Sequence, residues 1–177
     1  MAYYVRSIDK LANFQKVVEL KDQHQIDADI ITRDLKTTGN ALSIWRIDSY
    51  DMLEDAIFCM SLSRSDFSGM TFIIIEEELL EKFDLSIKPS KNPYEGIVKN
   101  NRSKHYDIFG LTLEHLLRVM GLYAAIGEKD AKLQEGYFVK SYLKDAIKQM
   151  SIEACKQKRI DIERTEAKMR ARLENLT

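Results

Sequence analysis

The run from Ala41 to Asp48 is apolar on both of its faces, and this constrains the fold more than any other stretch of the chain. In an extended strand Leu42 and Ile44 lie on one face, while Trp45 and Ile47 lie on the other. A strand with two apolar faces needs cover on both sides, which is typical of the interior of a sheet. We therefore predict that this strand is central and that Trp45 is buried.

A turn cluster at residues 37–40, with the sequence TTGN, separates this strand from a second β-prone run at residues 29–36. Two such runs around a turn predict a β-hairpin. The hairpin would also bring together four charged side chains: Arg33, Asp34, Arg46 and Asp48. We interpret them as cross-strand ion pairs rather than as a site that grips an anion.

Helix and strand signals alternate through the middle of the chain. Helical spacing or capping predicts helices at about 9–22, 50–64 and 76–83, while β-branched or alternating residues predict strands at 71–75 and 105–109. A polar loop is expected at 86–104, and three helices after it, at 112–126, 132–150 and 151–176. The predicted fold is α+β: a small mixed sheet founded on the β-hairpin with packed helices in residues 1–110, then a helical region, 111–177, ending in a long amphipathic helix.

Composition limits the classes of function. With 45% apolar residues the 177-residue chain can bury a core, and its net charge of −1 creates no global attraction to nucleic acid or anionic lipid. Cys59 and Cys155 show no paired spacing, and apolar runs such as 72–75 are far too short to cross a bilayer. We expect a cytoplasmic protein without a membrane segment. No motif is specific enough to name a reaction, a cofactor or a metal, so none is expected.

His105 and Asp107 are the best candidates for chemistry, because side chains two apart on a strand point the same way. Many metal sites begin with such a pair, but a hydrolytic site needs about three protein ligands, and no third ligand is evident in the sequence. The favoured interpretation is a histidine that hydrogen-bonds a neighbouring carboxylate without catalysis.

The loop around residues 88–104 is locally cationic, with Glu95 as its single acid. Its basic residues could clamp a phosphate or a nucleic-acid strand, and Tyr94 could stack on a base. They are Lys88, Lys91, Lys99, Arg102 and Lys104. A solvated loop is the favoured interpretation.

The last predicted helix carries the strongest organisational signal, because eight of its residues recur in alternating steps of three and four. They are Ile152, Cys155, Arg159, Ile162, Glu166, Met169, Leu173 and Leu176. The apolar members predict a docking seam formed by Ile152, Ile162, Met169, Leu173 and Leu176. Docking of this seam onto another chain and folding back onto its own domain are about equally expected.

These patterns favour a non-catalytic interaction (accessory) subunit of an intracellular multi-protein assembly, which docks through its C-terminal helices. The expected partner is another protein subunit or a second copy of the chain. One alternative is a metal-dependent hydrolase or nuclease that uses His105 and Asp107. A second is a nucleic-acid-binding accessory protein that uses the basic loop.

Overall fold

The computed structural model describes residues 2–8, 11–19, 35, 37, 39–63, 68–133, 137–165 and 167–175. Within them the chain forms one six-stranded sheet and six α-helices, which confirms the α+β class and the helical C-terminal region. The strands are Tyr3–Ile8 (β1), Leu42–Ile47 (β2), Met70–Glu76 (β3), Ile87–Pro89 (β4), Lys104–Ile108 (β5) and Val139–Tyr142 (β6). The helices are Leu11–Glu19 (α1), Leu53–Leu62 (α2), Glu77–Lys82 (α3), Leu113–Leu133 (α4), Lys144–Lys156 (α5) and Ala167–Glu174 (α6).

The strand order is β4-β5-β2-β1-β3-β6, and every described ladder is antiparallel. The sheet is therefore antiparallel, and not mixed as predicted. The reason lies in the path of α2, which carries the chain from β2 to β3 across the intervening β1. Both strands run antiparallel to β1 and thus parallel to each other, so this helical crossover needs no parallel ladder.

The central position of β2 is confirmed. It pairs with β1 through Tyr3↔Ile47 and with β5 through Trp45↔His105, and Trp45 is only 3% exposed. The predicted partner run, 29–36, lies outside the described residues apart from Leu35, which is buried. At Trp45 and Arg46 the strands β1 and β5 occupy both edges of β2, so no edge is left there for the predicted hairpin partner. Arg33 and Asp34 lie outside the described residues, and Arg46 pairs with Asp48 at 3.0 Å rather than across a hairpin.

Helices cover both faces of the sheet. All four residues from Phe72 to Ile75 are fully buried, which requires cover on each side of β3. Arg6 on β1 donates a 2.8 Å hydrogen bond to Tyr123 Oη, so α4 lies over the Arg6 face, and α2 packs against β1 and β2. The helix α1 lies close on α4, since a Cβ at Gly127 would overlap the side chain of Val18.

The predicted polar loop contains regular structure. It includes β4 and a 3-10 turn at Pro93–Gly96, where Asn92 caps the turn by accepting a 2.9 Å hydrogen bond from the Tyr94 N–H. The stretch is thus partly anchored to the sheet.

The predicted helix at 132–150 is wrong at residues 139–142. Residues Val139–Tyr142 form β6, which pairs with β3 along the Met70↔Tyr142 register, and α5 begins only at Lys144. Tertiary pairing with a fully buried strand overrides the weak helical tendency of so short a segment.

The predicted single helix at 151–176 is also wrong. Its first part belongs to α5, which ends at Lys156; Lys158 then adopts a left-handed conformation with φ 55°, and α6 begins at Ala167. Between the helices Ile160 forms a β-bridge with Val98, a long-range pairing that helical spacing does not signal. The division at residue 110 stays a prediction, although the sheet and the core include residues from both sides of it.

Candidate functional site

His105 lies inside the sheet rather than in an open cleft. It is 6% exposed, and its ring meets that of Trp45 edge to face with the centroids 5.0 Å apart. Its Nδ1 is 2.5 Å from Ser90 Oγ, and its backbone N–H donates to Glu95 Oε1 at 2.5 Å. Burial lowers the pKa of the imidazole below its usual range, which favours the neutral ring near pH 7.

Asp107 follows two residues later on β5, where its backbone lies opposite Ser43 of β2 and Lys88 of β4. His105 and Asp107 thus share a face of the strand, as their alternation predicts. Within the described ranges no three or more His, Cys, Asp or Glu side chains are grouped so that they could hold a metal ion. The hydrolase or nuclease interpretation thus gains no further ligand from this part of the chain.

The five basic residues of the loop do not act together. Arg102 binds Asp51 at 2.6 Å and Asp55 at 3.2 Å, so its charge is neutralised locally. Lys88 lies over the ring of Phe109 at 4.8 Å. The side chains of Lys91, Lys99 and Lys104 are exposed. Nucleic-acid binding by this loop stays a prediction, supported by fewer cations than the sequence suggested.

Asp55 on α2 is the centre of a charged cluster that sequence analysis missed. Its side chain is 2% exposed and receives hydrogen bonds from Arg102 Nε at 3.2 Å and from Arg159 Nη2 at 2.5 Å. The chain beside Arg159 is held as well, because the Lys99 N–H donates to the Arg159 carbonyl at 2.7 Å. The cluster ties α2, the loop before β5 and the turn after α5 together, which is a structural task.

The five residues of the predicted docking seam do not form one helical face. Met169 and Leu173 on α6 are buried in the chain's own core at 3% and 0% exposure. Ile162 packs half-buried on this core from a 3-10 turn, and Ile152 is half-buried on α5. Leu176 lies outside the described residues. The seam was expected either to dock onto another chain or to fold back onto its own domain. Met169 and Leu173 pack into the core of their own chain.

The outer edge of β6 offers backbone groups for binding. β6 is the last strand of the described sheet, and the Ile74 N–H donates to the Phe138 carbonyl at 2.7 Å. Hydrogen-bonded and non-hydrogen-bonded pairs alternate in an antiparallel ladder, so the even-numbered residues of β6 bond to β3. The backbone groups of Val139, Ser141 and Leu143 therefore point to the outer side. Two of them already bond within the chain, because the Val139 N–H donates to Asp130 Oδ1 at 3.2 Å and the Leu143 carbonyl accepts from the Ile147 N–H at 3.1 Å.

Apolar side chains flank this edge on the surface. Tyr137 precedes β6 and is 39% exposed, and Leu143 follows β6 and is 79% exposed. They are two of the three large hydrophobic side chains that are exposed in the described part of the chain, the third being Leu113. Tyr137 packs against Tyr50 with ring centroids 4.9 Å apart, which anchors it beside the strand.

The opposite edge of the sheet is protected. The Ser90 N–H donates to the His105 carbonyl at 3.1 Å, so the even-numbered residues of this segment bond to β5. The backbone groups of Ile87 and Pro89 therefore point away from β5, toward the outer side of the sheet. Pro89 has no N–H to offer to an added strand, a common way to protect an edge. Of the two edges of the described sheet, that of β6 is therefore the better candidate for strand addition.

The sequence of β6 does not clearly predict this site. The residues VKSY alternate only weakly, and Lys140 fits a helix as well as a strand. The one signal in the sequence was Leu143, an apolar residue directly after this stretch.

Comparisons with known proteins found no matching family model, no significantly similar curated protein and no significantly similar solved structure. Among the described residues, no helix is long and apolar enough to span a bilayer.

Proposed function

We propose that this protein is a non-catalytic interaction subunit of an intracellular assembly, and that it binds a partner protein by strand addition to the outer edge of β6. The observation that carries the proposal is the outer edge of β6, which pairs with no other described strand and is flanked by the exposed Tyr137 and Leu143. An exposed sheet edge recognises an extended partner through backbone hydrogen bonds, and neighbouring side chains supply specificity.

This docking surface replaces the C-terminal seam. The side chains of Met169 and Leu173 are occupied by their own core, whereas Leu143 is mostly in contact with solvent. A cytoplasmic location fits the two cysteines, because Cys59 and Cys155 are unpaired and buried.

Ser141→Pro tests the proposal. Proline removes the Ser141 N–H from the outer side and leaves the inward bonds of Lys140 and Tyr142 to β3 in place. Tagged wild-type and variant proteins would be used to recover partners from the native host. We expect every stoichiometric partner of the wild type to be lost or weakened at least about tenfold with the proline variant.

Ser141→Ala is the matched control. Both substitutions remove the 2.9 Å contact between Ser141 Oγ and Thr71 Oγ1, but alanine keeps the backbone N–H. Recovery with alanine and loss with proline would support strand addition. Equal recovery of the same partners with both variants would contradict it.

A further inference from the structure

We propose that the strand added to β6 is β6 of a second copy of this chain. The two strands pair antiparallel, and the twofold axis passes between the two Ser141 residues. This inference rests on the proposed function, because it names the partner for the same edge. It would join the two six-stranded sheets into one continuous sheet whose outer edges are the two β4 strands.

The backbone limits the possible registers. Residues that exchange hydrogen bonds across an antiparallel ladder stand directly opposite each other. Only Val139, Ser141 and Leu143 point outward, so an outward residue of one copy must face an outward residue of the other. The twofold axis therefore passes between one residue and the same residue of the other copy. The candidates for this residue along β6 are Lys140, Ser141 and Tyr142.

Charge selects among these registers. An axis at Lys140 places this lysine opposite its own copy, and an axis at Tyr142 places Lys140 opposite Lys144. Like charges directly opposite each other destabilise a ladder. An axis at Ser141 instead places Lys140 opposite Tyr142, a cation–aromatic pair, and avoids facing lysines.

The ends of the ladder fit the same register. With the axis at Ser141, Val139 of one copy stands opposite Leu143 of the other, so the exposed leucine gains an apolar neighbour. The Val139 N–H already donates to Asp130 Oδ1 at 3.2 Å, and the Leu143 carbonyl already accepts from the Ile147 N–H at 3.1 Å. In this register the Val139 N–H of one copy would face the Leu143 carbonyl of the other, and both groups are already bonded within their own chain. The remaining pair, the Leu143 N–H and the Val139 carbonyl, is available for a hydrogen bond between the copies.

The ladder is short, so the expected association is weak. A strand of four residues gives an interface at the small end of specific complexes, below about 1,200 Å² in total. The average mass should therefore rise with concentration over the micromolar range rather than correspond to a permanent dimer.

Sedimentation equilibrium of the full chain, from about 1 μM to about 500 μM, tests the inference. We expect the wild type and Ser141→Ala to approach twice the monomer mass with the same dissociation constant. Ser141→Pro should weaken the dimer at least about tenfold. Leu143→Glu should weaken it as well, and because this side chain is 79% exposed the fold should be unaffected, which circular dichroism would verify.

The outcomes separate the two proposals. A dimer that forms equally well with Ser141→Pro and Leu143→Glu would overturn the β6 interface. A wild type that stays monomeric throughout would overturn the second copy as partner, whereas the proposed function would still stand if a different protein bound the wild type and not Ser141→Pro. Failure of both experiments would overturn both proposals.

Discussion

Trp45 shows at the scale of a single residue how β2 is fixed in the sheet. It is 3% exposed and meets the ring of His105 on the neighbouring strand. Its burial follows from the two apolar faces of β2, which the sequence alone reveals. The position of His105 does not, because a polar residue on a strand does not disclose which neighbour will cover it.

Trp45→Ala should lower the free energy of unfolding by about 3 to 5 kcal/mol, since it removes a large buried side chain and leaves a cavity. Denaturant unfolding followed by circular dichroism would measure the loss. Trp45→Phe keeps most of the volume and should cost less. A change within about 0.5 kcal/mol for the alanine variant would show that the site is not part of the core.

His105 should make stability depend on pH. Because burial lowers its pKa, the unfolded chain binds the proton more readily than the folded protein. Its contribution to stability is then fully present above the unfolded value of about 6.5, and is lost as the pH falls from there through the folded pKa.

His105→Gln removes this titration. Between about pH 7.5 and about pH 5 the wild type should lose more unfolding free energy than the variant. Equal losses, or an NMR titration that gives His105 a pKa above that of the unfolded chain, would contradict the expectation.

At the scale of elements, Asp55 links α2 to two segments that are distant in sequence. The carboxylate is buried, whereas the side chains of Arg102 and Arg159 are 47% and 31% exposed. Loss of both arginines would leave the buried Asp55 carboxylate without a charged partner. Loss of Asp55 would instead leave two arginines that water can reach.

Arg102→Ala combined with Arg159→Ala should therefore cost about 3 to 5 kcal/mol of unfolding free energy, more than Asp55→Ala alone. Addition of Asp55→Ala to the double variant should restore part of the loss, because it removes the stranded charge. A triple variant less stable than the double variant would contradict this account of the cluster.

Elements that depend on local patterns were predicted well, and those that depend on distant partners were not. Leu53, Ala56, Ile57 and Met60 form an apolar stripe that predicts α2 from sequence. The step between α5 and α6 depends on the bridge of Ile160 to Val98, and β6 depends on β3. The heptad spacing at the C-terminus was real, but its residues are divided between separate elements.

At the scale of the whole molecule, α6 belongs to the core and the free edge of β6 belongs to the surface. The candidate docking site could not be predicted from sequence, because an edge exists only once the order of all six strands is known. The side chains beside it carry no chemical motif. The class of function, an interaction subunit that docks through its C-terminal helices, was predicted chiefly from the apolar seam in residues 152–176, and it stays a proposal.

Met169→Glu combined with Leu173→Glu should abolish the cooperative unfolding transition. Each buried side chain is worth about 2 to 5 kcal/mol on truncation alone, against a total stability of about 5 to 15 kcal/mol. Ala171→Glu on the exposed side of α6 is the control and should change stability by no more than about 0.5 kcal/mol. A double variant that unfolds cooperatively and loses only association would favour the C-terminal seam over β6.

Amide hydrogen exchange across residues 137–143 is the most direct test of β6 as the docking surface. Exchange would be followed at low and high protein concentration, and with any recovered partner, at the resolution of single amides. We predict that the outward amides of Ser141 and Leu143 exchange rapidly in the isolated monomer and are protected on association, while the inward amides of Lys140 and Tyr142 are protected throughout. Outward amides that exchange equally fast in the isolated and the associated protein would contradict the claim that this edge binds a partner.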